Sequence, residues 1–191
     1  MYFIGLDLSI NNTGVVVIDR KKNIIDYLFF RNTLYKQTNK ITVSERFHEN
    51  DHVNLSMKII FVARKILELV EKYENAFVGI EGYSYHSKSN SITKLAELGG
   101  CIKMELLRRG FRYDVFTPCT VKKCVTGNGF AKKFEVMDEC IAHIKKIPWI
   151  DEGDKVFDLY DALSIALFAR VFYFMGNKAF KQDKIVWKKI F

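Results

Sequence analysis

Four carboxylates in this chain fall where carboxylates are expensive. Asp7 lies inside the most apolar strand-like stretch, Phe3 to Leu8, and an unpaired charge there costs free energy to bury. Glu81 closes a second short apolar run, between Val78-Gly79-Ile80 and Gly82. Asp158 and Asp161 are three apart, so a helix carries both on one face. A core-like run, Ala162 to Leu167, follows them at once. Each acid alone has a plainer reading: a cap, an ion-pair partner or a solvated charge, and Asp158 also fits a helix N-cap. Jointly they point to metal chemistry. Acids gathered at one end of a sheet repel one another unless cations neutralise them, and an all-oxygen donor set suits Mg²⁺ or Mn²⁺.

Positioning such a set requires a sheet, and the pattern supplies one. Phe3 to Leu8, Val15 to Ile18 and Ile24 to Phe30 are β-forming runs joined by short polar turns, which predicts an antiparallel meander. Residues 31–53 are polar, of mixed charge and without a period, and are expected to form a long loop. Leu55, Ile59, Val62, Ile66, Leu69 and Val70 recur at helical spacing, predicting a helix over about 54–74. A strand at Ala76 to Glu81, a helix at Ser89 to Arg109 ended by Gly110, and a strand at Phe111 to Thr117 stopped by Pro118 follow. Two further helices are expected at Ala131 to Lys146 and Asp158 to Met175. The order β-β-β-α-β-α-β-α-α predicts an α/β fold: a mixed five-stranded sheet with helices on both faces.

The chain has 191 residues, one domain's worth against about 150 per domain. We expect that domain over 1–175. A basic tail, 176–191, carries five Lys against one Asp. A hydrophobic share of 49% excludes a disordered chain. With 30 Lys and Arg against 22 Asp and Glu, the formal net charge is +8. That surplus fits nucleic acid, acidic lipid or merely a solvated Lys-rich surface. The start, Met1-Tyr2-Phe3-Ile4-Gly5-Leu6-Asp7, lacks the basic region of a secretory signal. The apolar stretch Leu163 to Met175, broken by Ser164 and Arg170, reads as too short to span a bilayer. Cys101, Cys119, Cys124 and Cys140 form no C-x-x-C pair, so reduced thiols in a reducing compartment are expected.

The order of motifs resembles the RuvC family of Holliday-junction resolvases, which have a ribonuclease-H-like fold. Ile4-Gly5-Leu6-Asp7-Leu8-Ser9 with Thr13-Gly14 is similar to the family's first strand and turn, and Ile80-Glu81 to its second acid. Pro118-x-x-Val121-Lys122-x-x-Val125-x-Gly127-x-Gly129-x-Ala131-x-Lys133 resembles its basic loop. Asp158-x-x-Asp161-Ala162-Leu163 resembles its closing acid pair. The resemblance spans about residues 1–175. It implies a Mg²⁺- or Mn²⁺-dependent endonuclease that resolves four-way DNA junctions, leaving 5′-phosphate and 3′-hydroxyl ends. Two ions about 4 Å apart would be held by Asp7, Glu81, Asp158 and Asp161, with Asp7 shared. Lys133 would stabilise charge on the phosphate, and Lys122 and Lys123 would hold the DNA backbone. In the loop after Glu81, the family's stacking aromatic falls at Ser84. Tyr83 and Tyr85 flank it, with Lys88 beyond, either as DNA contacts or as packing onto the body. A homodimer would match a two-fold junction, and helix Ser89 to Arg109 offers a surface for it. Its stripe Ile92, Leu95, Ala96, Gly99 could equally be core. The resemblance also implies DNA recombination and repair in the cytoplasm of a bacterial or phage-infected cell, with no membrane partner and no nucleotide cofactor.

Other readings explain less. His48-Glu49-Asn50-Asp51-His52 matches H-E-x-x-H, but its polar neighbours do not make the buried helix that zinc chemistry needs. An actin-like kinase needs two lobes, and this chain supplies one. A non-catalytic DNA-binding module gains nothing from acids facing DNA. Branched- or flap-DNA endonucleases and ribonuclease H share the expected chemistry and remain the nearest alternatives.

Overall fold

The computed structural model describes residues 1–31, 34–37, 40–43, 52–83, 89–144 and 157–179. In chain order the strands are β1 (Tyr2–Asp7), β2 (Gly14–Asp19), β3 (Ile24–Arg31), β4 (Leu34–Gln37), β5 (Lys40–Val43), β6 (Phe77–Glu81) and β7 (Arg112–Phe116). The helices are α1 (His52–Val70), α2 (Ser89–Arg108), α3 (Pro118–Thr126), α4 (Lys133–Ile144) and α5 (Phe157–Ala179). The strands form one mixed sheet in the order β5-β4-β3-β2-β1-β6-β7. From β5 to β1 every pairing is antiparallel, while β1-β6 and β6-β7 are parallel.

The five expected strands are all present, and the sheet carries two more. Part of the segment expected as a loop is instead the β4–β5 hairpin, paired Leu34↔Val43 to Gln37↔Lys40 at the open edge. Four-residue strands are too short to show a period, so pairing, β4 to the edge of β3 and β5 to β4, makes them strands. A second departure is α3, which replaces the expected basic loop. Thr117 caps it by accepting a hydrogen bond from the Thr120 amide, Pro118 opens it, and Gly127 ends it at φ 78°. Those are ordinary helix start and stop signals, compressed into nine residues.

Both faces of the sheet are covered, which is why β1 and β2 are apolar almost throughout rather than alternating with polar residues. Ile4, Leu6, Val15 and Val17 pack with Ile59, Ile66 and Leu69 of α1 and Leu98, Ile102 and Leu106 of α2. Phe3, Val16 and Phe77 face the other way, onto Val121 of α3, Val136 of α4 and Leu163 and Ala166 of α5. Each such fully buried aliphatic or aromatic side chain is worth about 1.5–3 kcal/mol relative to exposure. The helix α5 is, by length and composition, long and apolar enough to cross a membrane, so the shorter span read from sequence is corrected. Its span Phe157–Gly176 is 61% buried within the fold, lying on β1, β2 and β6. Its apolar surface therefore serves the core. Gly176, at φ 69° and ψ 165°, kinks its end.

Glycine sets how closely α5 can lie on the sheet. A Cβ at Gly5 would fall 1.9 Å from the Ala162 carbonyl oxygen, and one at Gly14 would fall 2.2 Å from that of Asp158. On the next strand, a Cβ at Gly79 would meet Ala169 and Ile165 at 3.0 Å. Gly5 is registered with Gly79, and Gly14 with Asp7. These glycines thus form a trough across β2, β1 and β6, and α5 settles in it, with the backbone of Ala162 and Ala166 over Gly5, that of Asp158 over Gly14 and the side chain of Ala169 over Gly79.

Candidate active site

Asp7 ends β1 on the face that carries Phe3 and Gly5, because strand side chains alternate. The same parity places Glu81, at the end of the parallel neighbour β6, on that face beside it. The two carboxyls are hydrogen-bonded to each other. Because Gly14 is both the register partner of Asp7 and the contact of the Asp158 carbonyl, the first turn of α5 is delivered directly over Asp7. Asp158 lies inside that first turn, not outside it as an N-cap would. Carboxylate oxygens of Asp7, Asp158 and Asp161 all lie within 4.8 Å of one another.

The turn leaving Asp7 is fixed as well. The buried Thr13 hydroxyl accepts from the Ser9 amide at 3.0 Å and donates to the Ser9 carbonyl. The Phe30 amide donates to the Thr13 carbonyl, tying the turn to β3. Lys58, buried on α1, donates to the Asn11 side chain at 2.6 Å.

Two lysines reach the acids from the α3–α4 side. Lys133, the first residue of α4, spans Asp158 at 3.0 Å and Asp161 at 3.2 Å. Lys122, on α3, donates to the Ala131 carbonyl at 2.9 Å and adds positive potential at Glu81 and Asp161. Lys123 is exposed beside it. Burial, and then the Glu81, Asp161 and Asp158 charges, hold the Asp7 carboxyl well above the usual carboxylate range. Burial also raises Glu81, with Asp161 adding to it. Asp161 is raised by burial despite the opposing pull of Lys133. Burial alone would lower Lys133, but the Asp161 and Asp158 carboxylates outweigh it and hold the ammonium above its ordinary value. Four carboxylates thus share two ammonium groups in a partly buried pocket. That donor set fits a divalent cation, whose charge would relieve the repulsion that raises these acids.

A family profile for the crossover junction endodeoxyribonuclease RuvC matches residues 3–169. This chain belongs to the RuvC family. Among curated relatives, the RuvC endonuclease of Helicobacter acinonychis is 25% identical over 87% of this chain and 94% of its own. That of Aliarcobacter butzleri is 27% identical over 87% and 96%. In fold, the chain is similar to Thermus thermophilus RuvC in complex with a Holliday junction substrate, with a TM-score of 0.67. That match has 18% identity and covers 91% of this chain and 94% of the other. The yeast mitochondrial Holliday junction resolvase matches with a TM-score of 0.61, at 15% identity over 94% and 82%. The expected ribonuclease-H-like architecture is thereby the observed one.

Within this RuvC-family fold, six residues singled out by sequence converge: Asp7, Glu81, Asp158, Asp161, Lys133 and Lys122. Tyr83 does not join them. Its hydroxyl lies where a Cβ on Gly99 would come within 2.9 Å, and Lys103 sits over its ring at 5.6 Å. It lies along α2 and is 41% exposed. Tyr85 and Lys88 lie outside the described residues, as does the H-E-x-x-H segment apart from His52 at the start of α1. The stripe considered for dimerisation divides. Leu95 packs against the core and Gly99 is buried, while Ala96 is exposed, on one stripe with Gly100, Met104 and Leu107. What sequence reading missed is the positioning role of Gly5, Gly14 and Gly79. Glycine inside a strand marks close approach of another backbone, and that signal was there to be read.

Proposed function

We propose that this protein is a structure-selective endonuclease that resolves four-way DNA junctions by metal-assisted phosphodiester hydrolysis. One observation carries the reading: a RuvC-family chain gathers Asp7, Asp158 and Asp161 within 4.8 Å, with Glu81 hydrogen-bonded to Asp7. These four carboxylates would hold two ions, Mg²⁺ or Mn²⁺, with Asp7 shared, Glu81 on one and Asp158 with Asp161 on the other. Bound there, the ions supply a water of lowered pKa and compensate charge on the leaving 3′-oxygen. The chain's own residues do the rest. Lys133 holds the pocket with Asp158 and Asp161 and turns its ammonium to the phosphate when DNA arrives. Lys122 and Lys123 bind the backbone on either side of the cut, and the rigid sheet keeps the acids in place.

The catalytic unit is residues 1–175, with 176–191 a basic extension that adds charge toward DNA. The homodimer needed for paired nicks forms through the exposed α2 stripe of Ala96, Gly100, Met104 and Leu107, since a two-fold protein matches a two-fold junction. The reaction belongs in the DNA-containing, reducing cytoplasm, in keeping with four free cysteines.

Cleavage of a synthetic four-way junction in Mg²⁺ or Mn²⁺, beside duplex, fork, flap and RNA–DNA hybrid, tests this. The expected result is paired symmetric nicks in the junction with 5′-phosphate ends, and no product from Asp7→Asn. An uncut junction in both metals, or an active Asp7→Asn protein, overturns the proposal. Preferential cutting of flap or hybrid would move the protein to the related nuclease activities.

A further inference from the structure

The connection between α3 and α4 is tied down far more thoroughly than a loop needs to be. The Thr126 hydroxyl donates to the Lys122 carbonyl at 2.9 Å and accepts from the Asn128 amide at 3.0 Å. The Asn128 side chain accepts from the Phe130 amide at 3.0 Å, and the Asn128 carbonyl accepts from the Ala131 amide at 3.2 Å. Lys122 closes the far side through the Ala131 carbonyl. Gly129 is pressed onto Cys119, where a Cβ would lie 2.4 Å from the sulfur. Yet this fixed turn presents Phe130 at 89% exposure, the most exposed large apolar side chain among the described residues.

A rigid backbone that leaves an aromatic ring in water does nothing for the fold. Burying the ring would stabilise the fold, and nothing else in the turn requires phenylalanine. Its neighbours show what it suits. Lys132 and Lys133 follow within three residues, and Phe134 stands half-exposed with the Lys132 ammonium 5.9 Å from its ring centre. Lys123 is exposed on the preceding helix. Aromatic faces interleaved with cations are the surface that single-stranded nucleic acid takes: phosphates on the lysines, bases on the rings. Phe130 also lies close to the acids. Its Cα is at most about 11 Å from that of Lys133, whose ammonium touches Asp158 and Asp161.

We propose that Phe130 is a base-stacking platform, taking an unpaired or splayed base one to three nucleotides from the phosphate held at the acids. Its partner is the distorted strand of branched DNA, so the inference rests on the endonuclease reading above. Pre-organisation is the point of the rigid turn: a ring held in place loses little freedom on binding.

The test uses the full chain and a four-way junction with 2-aminopurine placed singly at each of three positions on both sides of the cleavage site. Fluorescence and binding are read in EDTA so that nothing is cut. Wild-type protein is expected to change the fluorescence at one or two of these positions, and Phe130→Ala to abolish that change. Phe130→Ala is also expected to weaken junction binding by roughly 5- to 150-fold while leaving affinity for plain duplex and the melting temperature unaltered. Phe130→Trp should restore both readouts. A Phe130→Ala protein with wild-type fluorescence and junction affinity overturns the proposal, as does an equal loss on duplex. Cleavage by wild-type protein in Mg²⁺ is scored separately: its failure removes the endonuclease reading, whereas a silent Phe130→Ala in a cleaving protein removes only the stacking site.

Discussion

The trough of glycines beneath α5 makes a demanding prediction for one methyl group. In Gly14→Ala the new Cβ would lie 2.2 Å from the Asp158 carbonyl oxygen, 2.7 Å from its carbon and 3.2 Å from the Leu159 nitrogen. All three are backbone atoms, so no side-chain rotation relieves the clash. Nonbonded atoms settle at about 3.5 Å, so the first turn of α5 must lift by about 1 Å. That turn carries Asp158 and Asp161, while Asp7 stays with the sheet. The expected cost in stability is that of overpacking, about 1–3 kcal/mol, or about 2–4 °C in Tm for each kcal/mol at this chain length. The cost in chemistry is larger, because a misplacement of about 1 Å at a reacting centre costs on the order of 10²-fold. Single-turnover cleavage of a four-way junction at saturating Mg²⁺, with Tm and circular dichroism alongside, measures both. A folded Gly14→Ala protein that cuts at the wild-type rate would refute the claim that this clearance sets the acid geometry.

Three further outcomes follow from the electrostatics. Asp7 and Glu81 titrate higher in the folded chain than unfolded, so their contribution favours the metal-free fold below about pH 4 and is lost as pH rises through the raised values. Metal-free Asp7→Asn should therefore exceed wild type in Tm by a margin that grows as pH rises from about 4 through the raised value, and Mg²⁺ should raise the Tm of wild type only; a margin flat with pH would count against it. Lys133 competes with a cation for Asp158 and Asp161, so Lys133→Ala should lower the Mg²⁺ midpoint while cutting the saturated single-turnover rate by about 10²- to 10³-fold; an unchanged rate at saturating metal would remove its proposed role. Junction binding should weaken steeply with salt, and Lys123→Ala should reduce the slope of log K against log[salt] by about one, read by fluorescence anisotropy; an unchanged slope would show that Lys123 meets no phosphate.

Legibility in the sequence followed the kind of information each feature carries. The convergence of Asp7, Glu81 and the Asp158–Asp161 pair was readable because a carboxylate in an apolar run violates a local rule, and such violations stand out in a sequence. The meander, the crossover strands and four of the five helices were readable because their apolar periods are imposed by the core they face. The β4–β5 hairpin was not, since its four-residue strands are too short to show a period and are held by pairing, β4 with β3 and β5 with β4. The α3 helix hid for another reason: nine residues are too few for a period, although Thr117-Pro118 and Gly127 announced its ends. The trough was in plain view as Gly5, Gly14 and Gly79, but a glycine states only that something comes near, not what. It took α5, packing Asp158, Ala162, Ala166 and Ala169 across three strands, to show that these glycines decide where the carboxylates of its first turn stand. The acids come within reach of one another because residues that lack side chains let α5 settle on the sheet. Substitutions at Gly5 and Gly14 should therefore impair cleavage as substitutions among the acids do, though less completely, by displacing charge instead of removing it.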